Sequence, residues 1–283
     1  MNQVAVVILN FKVKALTLKC IDSVKNSDFK DLEIIVVDND SGDGIGQDLK
    51  KDSTIKFIQN NKNSGFSGGN NLGIQQALKD QSEYILILNP DTTVDQKAIG
   101  ILVKKMKQYD TDIVCPKIYF DDKKTIWYAG GLFDKANVLG SHRGVDEEDK
   151  GQYDQDSETD GITGAALMIK REVFEKIGLF DDRYFLYYED SDLYFRAKQA
   201  NFKIMYIADA KVYHKNAQST GLGSPIQDYY ITRNRMIFAG KFLSLRTRFA
   251  LFREGLRNFR SPVKRLALKD FLFGNLGKGG LNV

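Results

Sequence analysis

Val4-Ala5-Val6-Val7-Ile8-Leu9 is an apolar run with no polar interruption. A strand with one wet face alternates apolar and polar residues; an unbroken run belongs to a strand covered on both faces. Glu33-Ile34-Ile35-Val36-Val37 and Tyr84-Ile85-Leu86-Ile87-Leu88 have the same character, and Ile55 to Ile58 reads as a shorter strand. Between the first two runs, Leu16, Cys20 and Val24 recur at four-residue spacing and predict a helix. Strands alternating with helices imply an α/β fold with parallel pairing and right-handed crossovers. The three principal runs lead directly into polar residues: Asn10, Asp38, and Asn89-Pro90-Asp91. Open α/β sheets bind ligands outside the carboxyl ends of their strands. One sheet edge is therefore expected to carry the site.

The rest of the chain continues the alternation. A helix is expected over Ala98–Met106, a strand at Ile113-Val114-Cys115, and a hairpin around Trp127 and Gly130-Gly131. Residues Asp146 to Asp160 are acidic and read as a solvated loop. A strand over Gly164–Ile169, a helix from Arg171, a helix over Asp190–Ala200 and a strand over Lys203–Ile207 follow. From Ser224 the pattern turns helical and basic, so the net charge of +4 conceals a strong polarity. Cys20 and Cys115 each lie in apolar surroundings and are expected to be buried, reduced thiols. The lack of a CxxC pair argues against a thiolate zinc site. Neither a signal-like start nor an apolar stretch approaching the roughly 20 residues of a membrane span is present, which predicts a cytoplasmic location.

Five segments offer chemistry. Asp38-Asn39-Asp40-Ser41-Gly42-Asp43 fits hydrogen bonding to a ribose or base, and equally a turn with a helix cap. Asn63-Ser64-Gly65-Phe66-Ser67-Gly68-Gly69-Asn70-Asn71-Leu72-Gly73 lacks the Gly-Lys-Ser/Thr of a P-loop. It reads as a loop entering a helix at Asn71–Lys79, with glycines that let backbone approach a phosphate or sugar. Asn89-Pro90-Asp91 places a carboxylate where it could ligate Mg²⁺ or Mn²⁺ on a diphosphate, or make an ordinary Asx-Pro turn. In Phe180-Asp181-Asp182-Arg183-Tyr184-Phe185-Leu186-Tyr187-Tyr188-Glu189-Asp190-Ser191-Asp192 a carboxylate near the helix start could deprotonate a hydroxyl beside aromatic rings. Asp192 also stands four residues before Arg196, the spacing of a plain helical ion pair. His214 follows a strand and needs a carboxylate partner to bind metal; His142 has no such context.

Taken in order, these segments resemble the inverting family-two nucleotide-sugar glycosyltransferases of GT-A fold, in particular the bacterial rhamnosyltransferase and galactofuranosyltransferase-like branch. Gly164-Ala165-Ala166, Tyr188-Glu189-Asp190-x-Asp192 and Tyr230-x-x-Arg233-Asn234 extend the likeness to about residue 240. The resemblance implies a Rossmann-like GT-A domain over 1–222, with a nucleotide-sugar half (1–95) and an acceptor half (96–222), and a C-terminal helical region over 223–283. It implies that Leu9, Asn10, Phe11, Asp38, Asn39, Asn63, Gly65, Phe66, Gly68, Asn70, Asn89 and Asp91 line the donor site. Asp91 and His214 would hold Mg²⁺ or Mn²⁺, with Asn89 replacing one acid of the family's Asp-x-Asp motif. Asp190 would be the catalytic base, Glu189 would help position acceptor or donor, and Tyr188 and Asp192 would contact the acceptor. The implied donor is dTDP-rhamnose, with UDP-sugars (galactofuranose, glucose or galactose) as the alternative. The implied acceptor is a glycan or polyprenyl-diphosphate-linked sugar in cell-surface polysaccharide synthesis.

In the tail, Phe238, Phe242, Leu245, Phe249, Phe252, Leu256 and Phe259 recur at three- and four-residue spacing among arginines. Two readings stand: helices packed on the catalytic domain, or an interfacial surface drawn to anionic lipid at the inner face of the cell membrane. Nucleic-acid binding is not expected, because the aromatics follow helical core spacing. A nucleotidyltransferase would carry a Gly-rich basic loop after the first strand, which Asn10-Phe11-Lys12 is not. Asn89 leaves a non-catalytic nucleotide-sugar-binding protein as the rival class. Whether the chain forms a homo-oligomer stays open.

Overall fold

A computed structural model describes residues 2–215, 223–257 and 260–281. The first half runs β1 (Val4–Asn10), α1 (Lys14–Lys25), β2 (Leu32–Asn39), α2 (Ile45–Leu49), β3 (Ile55–Asn60), α3 (Gly65–Lys79), β4 (Tyr84–Leu88), β5 (Thr92–Val94) and α4 (Ala98–Tyr109). It continues with β6 (Ile113–Phe120), β7 (Ile126–Tyr128), β8 (Gly131–Asp134), β9 (Leu139–His142), β10 (Ser157–Glu158), β11 (Ala166–Lys170), α5 (Arg171–Ile177), α6 (Glu189–Gln199) and β12 (Ile204–His214). Three helices close the chain: α7 (Pro225–Phe242), α8 (Leu245–Arg257) and α9 (Pro262–Leu272).

The central sheet has the order β10-β12-β6-β11-β4-β1-β2-β3, with β5 beside β12 and β7 beside β6. As the alternation predicts, β1 pairs in parallel with β2 and β4, and β2 with β3. The second half breaks that rule: β11 inserts antiparallel between β4 and β6. All of Val4 to Ile8 are fully buried, as an unbroken apolar strand requires. Helix α3 packs on β1 and β2, α1 on β1 and β5, and α4 on β6 and β12.

Two sequence expectations are corrected. The Gly/Asn-rich segment is not a loop; α3 begins at Gly65, six residues before the expected start at Asn71. Its glycines serve packing. A Cβ on Gly69 would lie 2.5 Å from Leu9 Cδ1, and one on Gly73 would lie 2.4 Å from Val7 Cγ1. Four-residue spacing puts both glycines on the face that meets β1, so tertiary contact overrides poor helix propensity.

The acidic segment is not simply solvated either. Lys117, 1% exposed on β6, pairs with Asp149 at 3.0 Å and Asp154 at 2.6 Å. Asp156 pairs with Lys105 at 2.6 Å and accepts from the Ala208 amide at 2.9 Å, where the β12–β6 register shifts between Ile207 and Lys211. These carboxylates fasten the segment to the sheet and to α4. The short strand β10 then adds to the sheet edge on β12.

The boundary expected after residue 222 is crossed by the packing. Arg233 and Asn234 on α7 are fully buried. Arg233 donates to the carbonyls of Arg183 (3.2 Å) and Tyr184 (3.0 Å), and Asn234 Nδ2 to those of Tyr184, Leu186 and Tyr187 (2.9, 2.8 and 2.8 Å). Helix α7 is thus part of the scaffold under the loop that leads into α6.

Because the α3 glycines set the helix-to-sheet distance, Gly73→Ala must push α3 off Val7 and Val37. The expected loss is about 1–3 kcal/mol of unfolding free energy, read as a lower urea midpoint at unchanged slope.

Candidate active site

A cavity of about 640 Å³ opens at the carboxyl ends of β1, β2 and β4. Its walls include Leu9, Phe11, Asn39, Asn63, Gly65, Phe66, Asn89, Asp91, Glu189, Asp190 and His214, all expected from the sequence. Asn10, Asp38, Gly68, Asn70 and Asp192 are not among its lining residues.

The reason differs for each. Asn10 is fully buried and acts as a strut. Its Nδ2 donates to Asp38 Oδ1 (2.8 Å), Ser41 Oγ (2.9 Å) and Asp43 Oδ2 (3.0 Å), while its Oδ1 accepts from Thr17 Oγ1 (2.7 Å). Asp38 is 4% exposed and also accepts from Gln59 Nε2 at 2.9 Å. Burial pushes its pKa up, but the donors on Ser41, Asn10 and Gln59 outweigh this and hold it below the usual value. Gly68 and Asn70 lie within α3, where Asn70 Nδ2 donates to the Phe66 carbonyl at 3.0 Å. Asp192 has no exposed side-chain surface. It is held by Arg196 at 2.6 Å, by Tyr184 Oη at 3.1 Å and by Lys241, so the ion-pair reading holds and acceptor contact does not.

A helix N-terminus generally offers unpaired amides to an anion. In α3 the leading amides are already engaged: Phe66 N donates to the Phe185 carbonyl at 2.7 Å and Ser67 N to the same oxygen at 3.3 Å. Gly65 makes that approach possible, with φ +71 and an added Cβ only 2.3 Å from Phe185 O. Asn39 organises the turn before it, donating to Asn63 Oδ1 (3.0 Å) and Gly65 O (3.1 Å).

Across the cavity, Asp91 and His214 meet. His214 Nε2 lies 3.1 Å from Asp91 Oδ1, and the Lys215 amide donates to the Asp91 carbonyl at 2.9 Å. Antiparallel pairing of β5 with the end of β12 sets this juxtaposition. His214 Nδ1 is buried without a hydrogen bond among the described residues. Below the Asn89 turn, the Cys20 thiol reaches the Asn89 carbonyl at 3.6 Å, and burial pushes its pKa up to about 12. Cys115 behaves likewise, and both thiols are free.

Trp127 and His142 also line the cavity, although His142 had no evident partner in sequence. The Trp127 ring packs edge-on between His142 (4.2 Å) and His214 (4.5 Å). Burial depresses the His142 pKa to about 4, so this imidazole is neutral at pH 7. The isolated Trp127 was the one available signal; its neighbours come from β9 and β12 and could not be read locally.

Glu189 and Asp190 open α6. Burial, then the charge of Asp190, raises the Glu189 pKa well above the ordinary range, and Glu189 Oε2 has no hydrogen bond among the described residues. Burial also raises Asp190, opposed by donors that include the Ser191 amide at 2.6 Å and the Gly164 amide. The buried Glu189 and the half-buried Asp190 titrate as a pair. The pair retains a proton at pH values where isolated carboxyls have lost theirs. Tyr188 lies just outside the main cavity and donates to the Val138 carbonyl at 2.6 Å.

This sheet, with a strand-end cavity holding a carboxylate–imidazole pair and an acidic helix start, is a GT-A glycosyltransferase fold. Likeness to solved structures agrees: GalNAc-T7 with UDP, GalNAc and Mn²⁺ superposes with TM-score 0.63 at 17% identity, over 81% of this chain and 48% of that one. The Staphylococcus aureus TarS fragment 1–349 gives TM-score 0.56 at 14% identity, over 96% and 71%. Residues 5–178 match Glycosyl transferase family 2. The chain belongs to that family and is a glycosyltransferase. Relatives include the low-salt glycan biosynthesis hexosyltransferase Agl10 of Haloferax volcanii, 29% identical over 75% of this chain and 68% of that protein. Another is the dTDP-rhamnosyl transferase RfbF of Shigella flexneri, 25% identical over 74% and 71%.

Because native Glu189 keeps a proton that the unfolded chain releases near pH 4.3, stability falls as pH rises from there towards the raised native pKa. Glu189→Gln removes that contribution. Its melting temperature should drop less between pH 5 and pH 8 than that of the wild type, as scanning fluorimetry would show.

Proposed function

We propose that the chain transfers a hexose from a nucleotide donor to an acceptor hydroxyl by single displacement with inversion. The observation that carries this reading is one cavity bordered by the half-buried Asp190 and by the Asp91–His214 pair. Asp190 accepts the proton as the acceptor oxygen forms its bond to the anomeric carbon and the bond to the nucleoside diphosphate breaks. Burial raises its pKa, which strengthens it as a base. Glu189 beside it is pushed towards its neutral form by burial and by the charge of Asp190, and would help position acceptor or donor.

Among the described residues no three His, Cys, Asp or Glu side chains cluster as a metal site. The fit is to a cation that takes part of its shell from substrate. Asp91 and His214 present one oxygen and one nitrogen within reach of each other, and Mg²⁺ or Mn²⁺ commonly combines few protein ligands with phosphate oxygens. Bound there, such an ion would neutralise charge on the departing diphosphate. Leu9, Phe11 and Asn39 would border the nucleotide.

Rhamnose is the proposed sugar and a dTDP-linked donor the proposed source, by likeness to the Shigella relative. The proposed acceptor is a glycan or lipid-linked sugar. No helix of the described residues is long and apolar enough to cross a membrane. On α8, however, Leu245, Phe249 and Leu256 are exposed beside Arg246, Arg253 and Arg257, a composition suited to an anionic lipid surface. Phe238, by contrast, is fully buried, and Phe242 and Phe252 pack against the same core, which fits the packing role for that part of the tail. Phe259 lies outside the described residues.

The test is nucleoside diphosphate release from dTDP-, UDP- and GDP-sugars, with Mn²⁺ or Mg²⁺ and with EDTA. Asp190→Asn should lower turnover by about 10²-fold or more while the donor still binds. Asp91→Ala should abolish the metal dependence. Donor binding without turnover in the wild type, under every condition and acceptor tried, would favour a binding protein. A product retaining the donor's anomeric configuration would refute single displacement.

A further inference from the structure

After α9 the chain runs Gly274-Asn275-Leu276-Gly277-Lys278-Gly279-Gly280-Leu281, with glycine at four of eight positions. Glycine loses more conformational freedom on ordering than any other residue, so a fixed course here requires specific contacts. They are present. Asp270, 5% exposed on α9, accepts from the Asn275 side chain at 3.1 Å, from the Gly280 amide at 2.7 Å and from the Tyr229 hydroxyl. The Tyr230 hydroxyl donates to the Lys278 carbonyl at 2.9 Å, and Leu281 packs against the cluster of Phe185, Tyr229, Tyr230 and Ala267. The segment is thus a strap laid across α7.

The strap reaches the same atoms that hold the loop before α6. Gly277 N donates to the Arg183 carbonyl at 2.9 Å, the oxygen that Arg233 also takes. The Arg233 guanidinium lies 5.3 and 5.0 Å from the centroids of the Tyr229 and Tyr230 rings, and its Nη1 donates to the Tyr229 hydroxyl at 3.4 Å. Gly279 closes over this stack: at φ +68, a Cβ there would run into Tyr229 Oη and lie 2.7 Å from Arg233 Nη1. A buried guanidinium needs a compensating charge, and the Tyr229 hydroxyl links Arg233 to the Asp270 carboxylate. None of residues 274–281 lines the main cavity, so any effect on the reaction passes through Arg233 and the loop.

We propose that residues 274–281 are a positioning strap for the transfer reaction: docked on Asp270 and Tyr229, they keep Arg233 and the Arg183 carbonyl in place, and through the loop from Arg183 to Tyr188 they fix where Asp190 meets the acceptor hydroxyl. The inference rests on the reading of Asp190 as base and adds to it the element that sets its position. Displacing a reacting group by about 1 Å can cost on the order of 10²-fold in rate. The donor side of the cavity, at Leu9, Phe11 and Asn39, is carried by the ends of β1 and β2 and stays in place when the strap opens.

The experiment opens the strap with Gly279→Val and with Asp270→Asn, each made in the wild type and in Asp190→Asn. Asp270→Asn adds no bulk and carries the test where the valine prevents folding. Tryptic cleavage after the exposed Lys278, followed by mass spectrometry, reports opening. Nucleoside diphosphate release, well below each variant's melting temperature, gives kcat and donor KM. The opened variants should be cleaved faster than the wild type, with kcat lowered about tenfold or more and donor KM kept within about twofold. In the Asp190→Asn background the same opening should lower the residual kcat by less than about twofold, because the group that the strap positions is gone. A merely structural strap would cost the same factor in both backgrounds. That result, an open strap with unchanged kcat, or cleavage no faster than wild type in either variant would overturn the proposal. Full turnover in Asp190→Asn alone would instead overturn the base reading, and the strap's role with it.

Discussion

Everything at the cavity's acidic side depends on how the backbone from Arg183 to Tyr188 is held. Phe185, Tyr187 and Tyr188 all adopt positive φ, at 65, 67 and 75°. Such conformations cost on the order of 1–3 kcal/mol each for residues with side chains, and persist only when surrounding contacts over-determine them. The contacts come from two sides. The first amides of α3 take the Phe185 carbonyl, and buried Arg233 and Asn234 of α7 take four further carbonyl acceptors in the same stretch. Phe185 also stacks on Tyr230 of α7 at 5.2 Å. The strained backbone therefore aims Glu189 and Asp190 from a fixed platform.

This arrangement gives α3 a second task. Its glycines allow it to lie close on β1, and that closeness sets where its N-terminus meets Phe185. The hydrophobic contact between α3 and the sheet is thus linked, through one carbonyl, to the carboxyl pair at the start of α6. A helix end that could have bound an anion instead satisfies a strained loop.

Much of this was legible in sequence. The unbroken apolar runs specified buried strands, and their polar ends located the cavity edge, because both signals are local. The start of α3 was not legible, since glycine and asparagine favour loops by propensity and only contact with Leu9 and Val7 reverses that preference. Asn10 and Asp38 show another limit. A polar residue at a strand end can face a ligand or brace its neighbours, and the residue type is the same in both cases. His142 became visible only when β9 brought it against Trp127, and Asp192 when Lys241 closed over it. The antiparallel insertion of β11 was hidden for a similar reason: its apolar run is like that of any buried strand, and direction is set by what it meets.

Asp91 and His214 stand 123 positions apart in sequence, yet their spacing follows from a backbone ladder. Among the described residues the β8–β9 hairpin forms a separate two-stranded sheet, and it reaches the cavity at Gly140 and His142. The two borders consequently differ in how freely mutation can reshape them. Altering the hairpin's outward residues leaves the main sheet's hydrogen bonds intact, whereas displacing either member of the Asp91–His214 pair means breaking strands. The hairpin border can thus change shape without strain on the ladder that fixes the opposite one.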